Sequence, residues 1–128
     1  MHNTRGRRTK LVAKSQEGEA HMIEKLYKIA EGLNARFPDG NNPFMIATRL
    51  LEECGEVAEQ INLFEGKGVK QQKLPQKDRA HFAKELQDVM RAILSLALYY
   101  DLKSELTASV EEFYRRVVAE GLVEPIGE

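Results

Sequence analysis

The stretch KELQDVMRAILSLA, residues 84–97, repeats apolar side chains every three to four residues, which is the pattern of an amphipathic helix. At about 100° per residue, Glu85 falls inside the apolar arc of that helix and Asp88 falls on its border. An ionised carboxylate left in an apolar environment costs several kcal/mol unless it is paired or bound to a cation. The stretch therefore predicts a buried helix on which Glu85 is a functional residue.

An earlier stretch, LLEECGEVAEQIN at residues 50–62, carries Glu53 and Glu56 one turn apart on a second helix, with Glu52 nearer the polar side. Two such helices side by side would bring four carboxylates together, and they cannot all stay ionised without a cation between them. Hard divalent cations such as Mg²⁺ take carboxylate oxygens as ligands and bridge them to phosphates. The predicted ligands of a magnesium site are Glu53, Glu56, Glu85 and Asp88.

Two other kinds of site must be weighed against a magnesium site. The carboxylates could lie on solvated helix surfaces, paired with Arg49, Lys84 or Arg91. A ferritin-like di-iron site also uses carboxylates inside a helical bundle, but it requires Glu-x-x-His on two helices. None of the three histidines follows a glutamate by three residues. The sequence therefore disfavours di-iron chemistry and leaves surface pairing as the alternative.

The periodicity of the whole chain predicts an all-α protein, a four-helix antiparallel bundle completed by oligomerisation. The predicted helices span about residues 17–35, 42–64, 76–100 and 101–119. Asn42 followed by Pro43 is a typical helix start, Asp101 is a predicted cap of the fourth helix, and Gly121 suits the position past its end. The predicted inward stripe of the fourth helix comprises Leu102, Leu106, Val110, Phe113 and Val117.

The chain, with 128 residues of which 30% are charged, has the size and composition of a single domain. We expect a disordered basic tail at residues 1–16, a helical domain at residues 17–121 and a C-terminal tail at residues 122–128. Residues 15–128 carry 14 basic and 20 acidic side chains, and this acidic body disfavours nucleic-acid binding by the basic tail. No apolar run is long enough to cross a membrane, and the single cysteine, Cys54, fits a reducing cytoplasm. We therefore expect a cytoplasmic location.

The paired motifs, Glu52-Glu53-x-x-Glu56 on one helix and Glu85-x-x-Asp88 on the next, resemble the MazG-like all-α nucleoside triphosphate pyrophosphohydrolases over roughly residues 20–120. The resemblance implies hydrolysis of a nucleoside triphosphate, either a dNTP or a modified nucleotide, to the monophosphate and pyrophosphate with Mg²⁺ or Mn²⁺. It implies that Glu53, Glu56, Glu85 and Asp88 bind the metal. It also implies that Glu52 or Glu53 holds or deprotonates the attacking water.

The resemblance also suggests groups that bind the rest of the nucleotide. Arg115 and Arg116 lie where the family often places a basic residue over the phosphates, and Lys73 lies on a loop that could close over them. Many relatives stack the base on a tryptophan, which this chain lacks. Phe37 and Phe44 are the predicted substitutes, although core packing is expected for at least one of them.

Two alternative functions are compatible with the same motifs. Phosphoribosyl-ATP pyrophosphohydrolase is similar in its acidic helices and splits the same type of bond. A non-catalytic helical interaction module would carry the acids without hydrolysing anything. A homodimer or homotetramer is expected because four helices of this length leave one flank apolar.

Overall fold

The computed structural model describes residues 17–66 and 77–127, and the regular structure in those ranges is helical. The helices are α1 (Met22–Arg36), α2 (Pro43–Phe64), α3 (Arg79–Tyr99) and α4 (Lys103–Ala119), with a 3₁₀ turn at Pro38–Gly40. The predicted all-α class is confirmed in the described ranges. Within the two described ranges, no helix has the length and apolar content needed to cross a membrane. The predicted basic tail, residues 1–16, lies outside them.

The start of α2 follows from its sequence. Pro43 fills the first helical position, where its missing N–H leaves nothing unpaired. The Asn42 side chain accepts a hydrogen bond from the Met45 amide at 2.9 Å, which satisfies one of the free donors at the helix start. Both features agree with the predicted boundary. The helix then continues without interruption through the acidic motif to Phe64.

The start of α3 is capped by Asp78, a residue that the sequence analysis did not identify as a cap. α3 begins at Arg79, and the Asp78 side chain accepts a hydrogen bond from the His81 amide at 3.1 Å. The predicted start at Gln76 lies outside the described residues. A negative side chain at this position also interacts favourably with the positive end of the helix dipole. Asp78 therefore fixes the start of the helix that carries Glu85.

The prediction that Asp101 caps α4 is wrong. The Asp101 backbone has a φ of 53°, and its amide donates to the Leu98 carbonyl at 3.2 Å. The Leu102 amide donates to the Ala97 carbonyl at 2.7 Å. These two bonds form a Schellman motif, so Asp101 ends α3 instead of starting the next helix. α4 begins at Lys103 without a side-chain cap.

The core lies where α3 packs against α1 and α2. The buried cluster between α1 and α3 consists of Leu26, Tyr27, Leu94 and Ala97. On α2, Ile46 is almost completely buried. Phe64 of α2 and Phe82 of α3 meet edge to face, with ring centroids 5.0 Å apart. α3 is thus the central helix, which explains why acids on it can be buried.

The apolar face of α4 is less covered than predicted. None of its residues is buried, and Val110 and Phe113 are 59% and 61% exposed. Leu106 packs against the core cluster, and Lys103 Nζ lies 4.6 Å from the centroid of the Tyr27 ring. The prediction that the stripe on α4 faces inward is therefore wrong at Val110 and Phe113. Within one chain, α4 is anchored near its start and presents apolar side chains to solvent.

The chain beyond α4 turns back toward that helix. Gly121, with a φ of 75°, ends α4 at the predicted position, because this left-handed conformation is readily adopted by glycine. The Ile126 amide donates to the Tyr114 hydroxyl oxygen at 2.6 Å. The predicted C-terminal tail, residues 122–128, is described to residue 127 and contacts α4 at this point.

Candidate metal centre

Three carboxylates from two helices meet at one point. Glu53 and Glu56 of α2 and Glu85 of α3 each offer an oxygen, and these oxygens all lie within 4.8 Å of one another. Glu85 is only 4% exposed, Glu53 is half-buried and Glu56 is exposed. The one-turn spacing of Glu53 and Glu56 aims both at α3. Glu53, Glu56 and Glu85 are called the carboxylate cluster below.

Two oxygens of the carboxylate cluster are buried without a hydrogen-bond donor among the described residues. They are Glu53 Oε2 and Glu85 Oε2. A buried carboxylate oxygen without a partner is costly, and the other carboxylates beside it raise that cost. Clustered carboxylate oxygens form the donor set of hard divalent cations such as Mg²⁺ and Mn²⁺. The residues therefore fit the predicted cation.

The same crowding raises the pKa of two members of the carboxylate cluster. Burial raises the pKa of Glu53, and the charges of Asp88, Glu56 and Glu85 raise it further. A hydrogen bond with the Glu56 carboxyl raises the pKa of Glu85, assisted by burial and by the charge of Glu56. Such a bond between carboxyls requires a shared proton. Without a cation, Glu53 and Glu85 therefore retain protons more strongly than ordinary glutamates do.

Two residues of α3 oppose this upward shift: Lys84, the immediate neighbour of Glu85, and His81, one turn before it. The positive charge of Lys84 and the imidazole of His81 both act to lower the pKa of Glu85. His81 Nε2 lies 3.3 Å from Glu85 Oε1, so the two oxygens of Glu85 have different surroundings. When the carboxylates are ionised, Glu85 Oε1 has His81 as a partner, whereas Oε2 has no hydrogen-bond donor among the described residues. The unpartnered oxygen is the one available to a cation.

Asp88 is buried beside the carboxylate cluster but is paired with cations. Lys84 Nζ lies 2.9 Å from Asp88 Oδ2, and Arg91 Nη2 lies 3.7 Å from Asp88 Oδ1. The hydrogen bond to Asp88 also raises the pKa of Lys84. The alternative left open by the sequence is thus half right for Asp88, which pairs with Lys84 and Arg91 but is buried and not on a solvated surface. The role of Asp88 as a fourth metal ligand stays a prediction.

Glu52 points elsewhere than the carboxylate cluster. It is exposed and lines an open pocket of about 380 Å³ with Phe44 and Arg49. Phe37 lines a second pocket, of about 360 Å³, which also includes Arg49 and Arg91. Arg49 therefore borders both pockets, whereas the sequence marked it only as a partner for acids. Its place one turn before Glu52 is the signal that could have identified it.

The two phenylalanines proposed for the base are both on the surface. Phe37 is 58% exposed and Phe44 is 83% exposed. The expectation that at least one of them packs in the core is wrong. Phe37 follows the last residue of α1 and Phe44 lies in the first turn of α2, so neither is directed into the helix contacts. Their role in base binding stays a prediction.

The cations predicted to bind phosphate contact residues of their own helix. Arg115 Nε donates to the Glu111 carbonyl at 3.4 Å. Arg116 Nη2 lies 3.7 Å from Glu112 Oε1. Lys73 lies outside the described residues. The phosphate-binding roles of these three residues stay predictions, and the cations found beside the buried acids are Lys84 and Arg91.

We expect the metal-free protein to lose stability as the pH rises above 4.5, the ordinary value for these carboxyls. Because the pKa values of Glu53 and Glu85 are raised, the folded state holds protons that the unfolded state releases, so this stability is present below pH 4.5. It is lost as the pH passes through the raised values. Urea unfolding from pH 4 to 8 in EDTA measures the slope. A Glu85→Gln variant with an unchanged slope would contradict this prediction.

The description "MazG nucleotide pyrophosphohydrolase domain" belongs to a family model that matches residues 42–119. The matched range runs from the cap of α2 to the end of α4. It contains the carboxylate cluster and Asp88. No curated protein and no solved structure matches the chain. The family match therefore covers more than half of the chain, including the helices that supply the acids.

Proposed function

Because the chain belongs to the MazG nucleotide pyrophosphohydrolase domain family, we propose that it hydrolyses a nucleoside triphosphate to the monophosphate and pyrophosphate. The proposed substrate is a dNTP or a modified nucleotide, and the proposed cofactor is Mg²⁺, with Mn²⁺ as a substitute. The observation that supports this most strongly is the carboxylate cluster with its two unpartnered buried oxygens. In a non-catalytic helical module, nothing would offset the free-energy cost of burying these oxygens without hydrogen-bond donors.

We assign the metal to Glu53, Glu56 and Glu85, with Asp88 as the fourth ligand. When bound, a divalent cation neutralises charge on the phosphates and lowers the pKa of a coordinated water. Glu52 or Glu53 would take a proton from the attacking water, whose oxygen forms a bond to the α-phosphorus as the bond to the pyrophosphate oxygen breaks. Asp88 could serve as a ligand only by giving up part of its contact with Lys84.

The remaining contacts of the nucleotide are assigned by side-chain chemistry. Arg115, Arg116 and Lys73 are proposed to bind the outer phosphates because guanidinium and ammonium groups pair with phosphate oxygens. Phe37 and Phe44 are proposed to stack on the base. Their exposed rings and their places on the two pockets support this.

Self-association as a homodimer or homotetramer is part of the proposal. The support is the uncovered apolar side of α4, because a helix with no buried residue gains little stability from packing within its own chain. A cytoplasmic location is proposed from the single cysteine. The acidic body makes nucleic acid an improbable partner.

A pyrophosphate-release screen tests the proposed function. The panel should contain the standard dNTPs and NTPs, modified nucleotides and phosphoribosyl-ATP, each with Mg²⁺, Mn²⁺ or EDTA. We expect metal-dependent release from at least one nucleoside triphosphate. Release from phosphoribosyl-ATP alone would replace the proposal with phosphoribosyl-ATP pyrophosphohydrolase. No release from any compound, together with no stabilisation by either metal, would favour the non-catalytic module.

A further inference from the structure

Arg49 lines both pockets, and an ion pair with a neighbouring acid does not account for its position. It is half-buried on α2, and its Nη2 donates to the Gly40 carbonyl at 3.1 Å. This bond ties α2 to the 3₁₀ turn that follows Phe37. Among residues 17–66 and 77–127, no carboxylate lies within ion-pair distance of Arg49. A guanidinium has five N–H donors in a rigid plane, so most of them are available to a ligand.

The pocket on the Phe37 side contains a second guanidinium. Arg91 of α3 lines it with Arg49, and the Arg91 side chain is only 20% exposed. Phe37 and Leu33 supply apolar walls, and Asn34 supplies a side-chain amide. The pocket thus has an aromatic face beside several fixed hydrogen-bond donors.

Arg91 connects this pocket to the buried acids. Its Nη2 lies 3.7 Å from Asp88 Oδ1, and the charge of Asp88 acts on Glu53 of the carboxylate cluster. Arg91 thus contacts a neighbour of the carboxylate cluster and also lines the Phe37 pocket. In a nucleoside triphosphate, the part that lies away from the phosphates is the base.

We propose that this pocket selects bases by the acceptors on their edges, with Arg49 as the specificity-determining residue. Guanine, uracil, thymine and cytosine each carry at least one exocyclic carbonyl oxygen, whereas adenine carries none and has an amino donor instead. A guanidinium donates to the former and opposes the latter. This inference rests on the proposed function and adds to it that adenine nucleotides are poor substrates.

A phosphate role for Arg49 is less consistent with the pocket. Phosphate sites need charge and hydrogen bonds and gain nothing from an aromatic wall, whereas a base needs both a flat apolar face and fixed donors. The Arg91 charge is also partly balanced by Asp88, which weakens the pocket as an anion site and leaves its donors in place.

The test compares Arg49→Lys with wild type in two assays. Lysine keeps the charge but loses the planar set of donors. Steady-state kinetics should use dGTP, dCTP, dUTP and dTTP against dATP. We expect kcat/KM to fall on the order of 10- to 100-fold for the wild type's preferred nucleotides and to change little for dATP. Arg79→Lys, an exposed arginine at the start of α3, is the matched control and should leave all five values unchanged.

A second assay separates this inference from the proposed function. Binding of the monophosphates dGMP, dCMP, dUMP, dTMP and dAMP, and of inorganic pyrophosphate, is measured by NMR titration in EDTA. Base-dependent binding that Arg49→Lys removes supports the inference even if no triphosphate is hydrolysed. An equal loss for every nucleotide and for pyrophosphate would make Arg49 a phosphate ligand and overturn it. Unchanged discrimination in a variant that hydrolyses normally would also overturn it.

Discussion

Glu85→Gln should reduce pyrophosphate release by roughly 10²–10³-fold, which is the scale seen when one electrostatic contact to a transition state is removed. Glu85 is the most buried member of the carboxylate cluster, and its Oε2 has no partner among the described residues. Glutamine fills the same volume and keeps one oxygen, but it has no charge for a divalent cation. The loss should appear in kcat/KM for every nucleotide, because the metal acts on the phosphates and not on the base.

The same substitution should make the metal-free protein more stable. The amide removes one of three crowded negative charges, and it can donate a hydrogen bond to the Glu56 carboxylate, which Glu85 can do only when protonated. The stabilisation that Mn²⁺ gives to the folded protein should, in contrast, be smaller in the variant than in wild type. A ligand at 100 times its dissociation constant stabilises a folded protein by about 2.7 kcal/mol, and the variant should lose most of this at the same Mn²⁺ concentration.

Urea unfolding at pH 7.5, in EDTA and in Mn²⁺, measures both effects on the same samples. Glu111→Gln, which changes an exposed glutamate of α4, is the matched control and should behave as wild type in activity and in metal response. An active Glu85→Gln enzyme that Mn²⁺ still stabilises would remove Glu85 from the metal site. A variant that is inactive and less stable in EDTA would mean that Glu85 has a structural partner.

The carboxylate cluster could be predicted because the positions of its acids on each helix follow from the local sequence pattern. Glu85 interrupts an apolar stripe, and the spacing of Glu53 and Glu56 depends only on the helical turn, so no tertiary information is needed to put these acids on facing sides. The start of α2 is equally local, since Asn42 and Pro43 act within one turn. The contact between α2 and α3 then brings the three carboxylates together.

Arg49 and Asp101 could not be predicted in the same way. The pocket at Arg49 exists only because the Pro38–Gly40 turn folds against α2, where the Gly40 carbonyl receives the guanidinium. Asp101 is a good N-cap by composition, but a short connection makes the end of one helix compete with the start of the next. Here the Schellman bonds that end α3 determine the conformation of Asp101, which rules out the capping role.

The apolar stripe of α4 shows a different limit of periodicity. The pattern identifies which side of a helix is apolar, and it contains no information on whether the same chain or another chain covers that side. Leu106 is covered within the chain, whereas Val110 and Phe113, one and two turns later, are exposed.

Replacing Val110 and Phe113 together by aspartate should convert an oligomer of this chain into monomers. Burying a valine or phenylalanine side chain contributes about 1.5–3 kcal/mol, so two such side chains lost from each copy would weaken association by a factor on the order of 10² or more. Introduced carboxylates add the cost of desolvating charge at the interface. Light scattering coupled to gel filtration measures the mass of each species directly.

Ala108→Asp provides the matched control, because position 108 is exposed on the opposite side of α4, about 200° from Val110. It adds a charge to the same helix and should leave the mass of the oligomer unchanged. A wild-type protein that is monomeric at micromolar concentration would contradict the proposed self-association. A double variant that keeps the wild-type mass would place the interface on another surface. If the monomeric variant also loses activity while retaining Mn²⁺ binding, the oligomer completes the substrate site without contributing to the carboxylate cluster.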